Sequence, residues 1–394
     1  MKHISTAASS LIGQPMFQLL TKVKSLEAQG RVITRFEIGD STFDDPPHVV
    51  KATQDALAQG KTRYVQSQGI PEFREAIADH TEKTLGFRPD IDQIAVLPAN
   101  SAIDAVVRCV MNPGEDVIVP DPGFPTYSAV ISYTGMNAIR VPQREAKNRM
   151  YIDFDELGQS VTSATRLIIS NSPNNPTGMM MTEEEAKSLY EVAKENDVYL
   201  LSDEVYSRIT YGETHYSPVV YDSCKERTIL LNSFSKGYSM SGWRLGYVIG
   251  PKDVVAKISL LFETMSSCVP PFIQYGGIAA LTDESGYFDR YLLQLGKSRD
   301  AMVLGLNSLP GVSCISPAGA IYAFANIKDT GLTSVEFADA MLEHADVSLL
   351  PGSNFGEYGE GYIRLCFARS TEVIKNGCDK MREAIINKDI YEVI

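Results

Sequence analysis

The chain has 394 residues, 44% hydrophobic and 22% charged, the proportions of a globular protein large enough for an extended core and two domains. A formal net charge of −13 and a pI near 5.0 argue against a nucleic-acid partner, whose phosphates require a basic face, yet leave room for one buried phosphate site. Six cysteines (Cys109, Cys224, Cys268, Cys314, Cys366 and Cys378) show no CxxC or other metal-ligand spacing, which points to reduced thiols and no bound metal. The opening MKHISTAASSLIGQP has no apolar stretch long enough for a signal peptide, and no later run is long enough to span a membrane. A cytoplasmic protein without membrane contact is the expectation.

Residues 14–29 place Met16, Leu19, Leu20, Val23 and Leu26 at helical spacing, and Gly30 ends the segment. A short strand is expected over 32–38, followed by the loop GDSTFDDPP. Residues 48–59 read as a helix, and Pro71 opens another, PEFREAIADHTEKTL. From residue 93 the pattern becomes strand, loop, helix, repeated. Seven apolar runs (94–97, 117–119, 138–141, 167–169, 198–201, 229–231 and 247–249) alternate with helices such as 102–111 and 182–195. That alternation implies an α/β fold with a mostly parallel seven-stranded sheet covered on both faces. After residue 280 a helix over 284–308, a strand pair around Pro-Ala-Gly, a helix over 334–344, the strand GYIRLCFA and a final helix from Ser370 suggest a smaller α+β domain. The expected division is 1–45, joining the small domain; 46–280, the large domain; and 281–394, the small C-terminal domain.

In open α/β sheets ligands bind outside the carboxyl ends of the strands. Phe124 follows the 117–119 run, Asn175 follows 167–169, Asp203 ends 198–201 and Lys236 follows 229–231, so all four fall on one sheet edge. Lys236 lies in NSFSKGYSMSGWRLG with Ser233 beside it and Arg244 eight residues later, which suits an amine that holds an aldehyde while its neighbours hold a phosphate. NSPNNPTG fixes a tight turn that presents Asn175; taken alone it is only a connecting turn. Asp203 is either a helix cap or, if buried, the partner of a cation such as a protonated ring nitrogen. Ala99 and Asn100, in Pro98-Ala-Asn-Ser, lead into a helix whose free N–H groups form a phosphate seat, while simple capping by Asn100 or Ser101 is the alternative, and both can hold together. Phe124, in DPGFPTY, either stacks on a flat ring or belongs to the core. One ligand explains the whole set: pyridoxal phosphate.

The chain resembles the fold-type I pyridoxal-phosphate enzymes of the aspartate aminotransferase superfamily. The likeness rests on IGDSTFDDP, GKTRYVQSQGIPEFREAIA, SPNNPTG, SDEVY, SFSKGYSMSGWRLGY, PGSNFG and YIRLCFA, in that order. It implies that Lys236 carries the cofactor aldehyde and moves the proton, that Asp203 keeps the pyridine nitrogen protonated, and that Tyr206 and Asn175 bond the ring's phenolic oxygen. It assigns the phosphate to Ser233 and Arg244, with Tyr64 reaching the other subunit's cofactor in a homodimer. Arg364 would clamp the substrate α-carboxylate and Gly39 would line the substrate pocket. Two departures stand out. Pro98–Ser101 replaces the family's usual Gly-rich turn, and GDSTFD lacks the proline of GEPDFD. In some aspartate-specific members the position of Asn100 is a lysine, a charge that asparagine cannot supply. The implied activity is amino transfer between an L-α-amino acid and a 2-oxo acid by a ping-pong mechanism. The same motifs also fit a lyase, decarboxylase or cyclase; a cofactor-binding regulator is the reading from another class.

Overall fold

The computed structural model describes residues 3–387 apart from Ile12, Lys147 and Glu284. Its strands, in chain order, are β1 (Thr34–Arg35), β2 (Ile94–Val96), β3 (Asp116–Asp121), β4 (Asn137–Ala146), β5 (Arg149–Ile152), β6 (Thr165–Asn171), β7 (Tyr199–Asp203), β8 (Thr228–Ser233), β9 (Gly246–Ile249), β10 (Ser313–Cys314), β11 (Tyr322–Asn326), β12 (Val347–Ser348), β13 (Leu350–Pro351) and β14 (Tyr362–Cys366).

A large sheet runs β2-β9-β8-β7-β6-β3-β4-β5. The contacts from β8 through β4 are parallel; β9 is antiparallel to both its neighbours, and β5 is antiparallel to β4. The sheet therefore has eight strands where seven apolar runs were counted. The extra strand, RMYI, is an edge strand whose side chains are mostly half-exposed, so it carries no apolar run to betray it. Inner strands bury both faces. Val117, Val119, Leu167, Ile169 and Leu201 join one core, while the intervening Ile118, Ile168 and Leu200 join the core on the other side. Period-two alternation makes this unavoidable once helices cover both faces.

The remaining strands form a four-stranded antiparallel sheet, β10-β11-β14-β13, and a parallel pair, β1 with β12. They share a second core with the helices Tyr287–Leu306, Ser334–His344 and Thr371–Ile386. The first of these was expected over 284–308, beginning on Glu284, which lies outside the described residues, as do 388–394 of the expected last segment. The chain's first long helix, Pro15–Ala28, packs Val23 with Ile33 and Leu342. Among the described residues no helix is long and apolar enough to cross a membrane.

Two boundaries beside the cavity differ from expectation. The strand expected over 32–38 is only Thr34–Arg35, because the carbonyls beyond it bond to arginine side chains and to Cys366 N rather than to a continued ladder. The helix expected from residue 102 begins at Ala99, with Pro98 in the cap position. The Ala99 and Asn100 N–H groups thus belong to the first helical turn, where no intrahelical acceptor exists.

Candidate active site

The carboxyl ends of β3, β6, β7 and β8 converge on a cavity of about 430 Å³. Phe124, Asn175, Asp203 and Lys236 all line it, together with Gly39, Ala99, Asn100, Tyr206, Ser233 and Arg244.

Lys236 sits in the one-turn helix Phe234–Gly237 that follows β8, and Ser233 Oγ caps that turn by accepting from Ser235 N at 3.1 Å. The Lys236 ammonium donates to the Gly39 carbonyl. Burial lowers its pKa, against an opposing pull from Asp40. Arg244 adopts a left-handed conformation (φ 56°) after the Ser241–Trp243 turn, and its Nη1 donates to Ser241 O at 2.7 Å.

Asp203 is 3% exposed. Its Oδ2 accepts from the Tyr127 hydroxyl at 2.5 Å and its Oδ1 from Val205 N at 3.3 Å. Burial raises its pKa to about 6, although both hydrogen bonds pull the other way. None of its hydrogen bonds comes from a cation. A turn, not a helix, follows β7, so the Val205 bond closes that turn and the helix-cap alternative does not hold.

Asn175 is fixed from both sides. Its N–H donates to Asn171 Oδ1 at 2.8 Å, and its own Oδ1 accepts from Arg364 Nη1 at 3.2 Å. The turn that carries it has cis bonds before Pro173 and Pro176. Arg364, on β14, is fully buried. Its guanidinium lies 4.3 Å from the Tyr322 ring centre and 4.9 Å from that of Phe355, and Nη2 donates to Glu37 O at 2.5 Å. Arg364 Nε is buried without a partner. Arg364 stands behind Asn175 and is not itself part of the cavity lining.

Tyr206 and Tyr322 join hydroxyl to hydroxyl at 2.9 Å. Burial pushes the Tyr322 phenol up to about 12 and that of Tyr206 upward as well. A Cβ on Gly39 would lie 2.0 Å from the Tyr322 hydroxyl, so this position has no room for any side chain. Tyr64 is the one predicted residue far from this cluster. It is 86% exposed and lines a separate open groove with Gln66, Arg74 and Glu263.

Sequence reasoning passed over Tyr127, Tyr322 and Asp40. Tyr127 is three residues beyond Phe124, one helical turn on, and that spacing was the available signal. Tyr322 opens β11 within an apolar run, and nothing local marks it.

The sequence profile of the family described as aminotransferase class I and II matches residues 31–381. The chain belongs to that family. It is 34% identical to an aspartate aminotransferase of Pyrococcus abyssi over 376 residues, covering 94% of this chain and 96% of the relative. It is 36% identical to aromatic-amino-acid aminotransferase 2 of Thermococcus litoralis, covering 90% and 92%. The solved alanine aminotransferase of Pyrococcus furiosus superposes with a TM-score of 0.93 at 29% identity, covering 98% of this chain and all of that one. This aminotransferase is thus an enzyme of the pyridoxal-phosphate-dependent kind, and its relatives do not favour the lyase, decarboxylase or cyclase alternatives. The substrates for which these relatives are named differ from one another: aspartate, aromatic amino acids and alanine.

Proposed function

We propose that this aminotransferase holds pyridoxal 5′-phosphate in the 430 Å³ cavity and exchanges an amino group between an L-α-amino acid and a 2-oxo acid in two half-reactions. The observation that carries the reading is Asp203: a buried carboxylate facing a cavity with no cationic partner in its hydrogen-bond set calls for a cation from the ligand. When bound, the cofactor supplies an aldehyde that captures amines and a protonated ring that withdraws electrons from the substrate Cα.

The donor set suits that ligand. Lys236 Nζ is the amine that holds the aldehyde and then moves the proton at Cα, and its lowered pKa favours the neutral form that both tasks need. Asp203 keeps the ring nitrogen protonated. Phe124 covers the ring face, and Tyr206 and Asn175 bond its phenolic oxygen. Ser233, Arg244 and the N–H groups of Ala99 and Asn100 hold the phosphate, at a helix start whose dipole favours an anion. Arg364, with its unpartnered Nε, takes the α-carboxylate beside Asn175, and Gly39, where a side chain would strike Tyr322, lines the substrate pocket.

Exposed Tyr64 fits a homodimer in which it reaches the partner's phosphate. The two-domain division at 45 and 280 and a cytoplasmic location belong to the same proposal, supported by separate cores and six unpaired cysteines. Asn100 provides no charge for a side-chain carboxylate, so neutral and aromatic amino acids are expected to compete well with aspartate. Borohydride reduction of the loaded enzyme followed by peptide mapping tests the site: the pyridoxyl label belongs on Lys236, and label elsewhere refutes the assignment. A screen for amino-group exchange with added 2-oxo acids tests the reaction; release of ammonia or carbon dioxide instead would refute it.

A further inference from the structure

The segment from Arg35 to Asp40 is a thin wall. On one side Ile38, Gly39 and Asp40 line the cavity; on the other, Ile38 and Asp40 line an open groove together with Arg369. The segment is irregular beyond Arg35, so its carbonyls need donors from elsewhere. Each has one. Phe36 O accepts from Cys366 N at 2.8 Å, Glu37 O from Arg364 Nη2, and Gly39 O from Lys236. One side chain reaches all of the other three: Arg369 Nε donates to Arg35 O at 3.1 Å, Nη2 to Ile38 O at 3.5 Å beside Asp40 N at 2.9 Å, and Nη1 to Asp40 O, which also accepts from Cys366 Sγ at 3.9 Å. A fourth bond, at 3.0 Å, ties Nη1 to Ala368 O. All four go to main-chain carbonyls, and the rigid guanidinium fork fixes their relative placement.

We propose that Arg369 is a positioning residue for the transfer reaction, acting through this wall. It stands on the groove side and holds Ile38 and Asp40. The residues between and beside them, Gly39 and Glu37, are thereby kept against the Tyr322 hydroxyl and the Arg364 guanidinium. Releasing the wall frees Glu37 O from Arg364 Nη2, and Arg364 then meets the α-carboxylate in a less defined orientation. Binding suffers more than the proton transfer at Lys236, whose backbone is anchored in the turn after β8 and which meets the wall only at the Gly39 carbonyl. The inference rests on the reading that Arg364 takes the substrate α-carboxylate.

The test compares wild type, Arg369→Met and Arg369→Lys, each loaded with pyridoxal phosphate. Arg369→Met is expected to raise KM for the amino donor about ten-fold, the scale of one lost charged hydrogen bond, while kcat stays within about three-fold. Arg369→Lys restores the charge without the fork and should recover only part of the loss. Calorimetric binding of the α-methyl analogue of the best amino donor should weaken in the same proportion, a reading independent of turnover. A lowered melting temperature with unchanged KM and unchanged analogue binding would mean that Arg369 only stabilises the fold, and would overturn the proposal. If Arg369→Met does not fold, the same comparison is read from Arg369→Lys. Failure of the underlying reading looks different: the wild type itself would show no amino exchange, or Arg364→Ala would bind the analogue as tightly as wild type.

Discussion

Replacing Asp203 with asparagine keeps the side chain's shape and removes its charge. In the folded chain burial holds the carboxyl pKa at about 6, against an ordinary value of 3.8. The difference is about 2 pH units, worth about 3 kcal/mol at about 1.4 kcal/mol per unit. Its sign is fixed by proton binding. Between pH 4 and 6 the folded state keeps a proton that the unfolded chain has released, so stability falls as pH rises through that window. Below about pH 4 the contribution is fully present; above about pH 6 it is lost. Urea unfolding of the cofactor-stripped protein from pH 4 to 7.5 should therefore show wild type losing about 3 kcal/mol relative to Asp203→Asn. Pyridoxal phosphate should then stabilise wild type above pH 6 more than it stabilises the variant, because its ring nitrogen supplies the cation. In the loaded enzyme the variant should lose about a hundred-fold or more in kcat, since the charge is needed as electrons move into the ring. Parallel pH curves for the two stripped proteins would refute the claim that this carboxylate is held uncompensated. A normal kcat would refute its electronic role.

Arg364→Ala should lower kcat/KM by roughly thirty-fold to a few thousand-fold for every α-amino acid, the cost of about 2–5 kcal/mol for breaking a buried charge pair; a loss confined to one substrate would argue that it reads side chains instead. Gly39→Ala forces a methyl into the Tyr322 hydroxyl and should cost about 1–3 kcal/mol of stability along with a raised KM, whereas wild-type behaviour in both would show that the wall yields freely. A mixed dimer of Tyr64→Phe and Lys236→Ala subunits should regain one intact site, and a fully active monomer at assay concentration would sink that idea. Across aspartate, glutamate, alanine, phenylalanine and a basic amino acid, no hundred-fold lead for aspartate is expected; such a lead, about 2.7 kcal/mol, would reveal a cation supplied to the pocket from elsewhere.

Much of the architecture could be read in advance because strands buried on two faces are apolar without interruption. The runs at 117–119, 167–169 and 229–231 could hardly be anything else, and the residues just after them had to lie together at one edge. What escaped reading lacked that local signature. β5 is an edge strand with a mixed sequence, recognisable only beside β4. The helix at Ala99 starts three residues earlier than its apolar pattern does, because a proline cap leaves no trace in periodicity. Tyr127, Tyr322 and Arg369 act through partners 76, 116 and 334 residues away in sequence, and nothing next to them announces the meeting.

That last separation has a consequence for how the molecule is made. β1 has no partner until β12 exists, and the carbonyls after it wait for Arg364 and Arg369 near the other end of the chain. At about 5–20 residues per second, synthesis of the intervening stretch takes roughly 15 to 60 s. Once residue 249 has been made the large sheet has all eight of its strands and the edge that carries Asp203 and Lys236, while the carbonyls of Arg35, Phe36 and Glu37 still wait for Arg369, Cys366 and Arg364. The wall of that cavity is therefore incomplete until the segment 364–369 has been made. Under the proposed roles, a nascent chain has Lys236 in place before Arg364 and Arg369 emerge, so the order of synthesis makes the cofactor pocket older than the wall that orients the substrate.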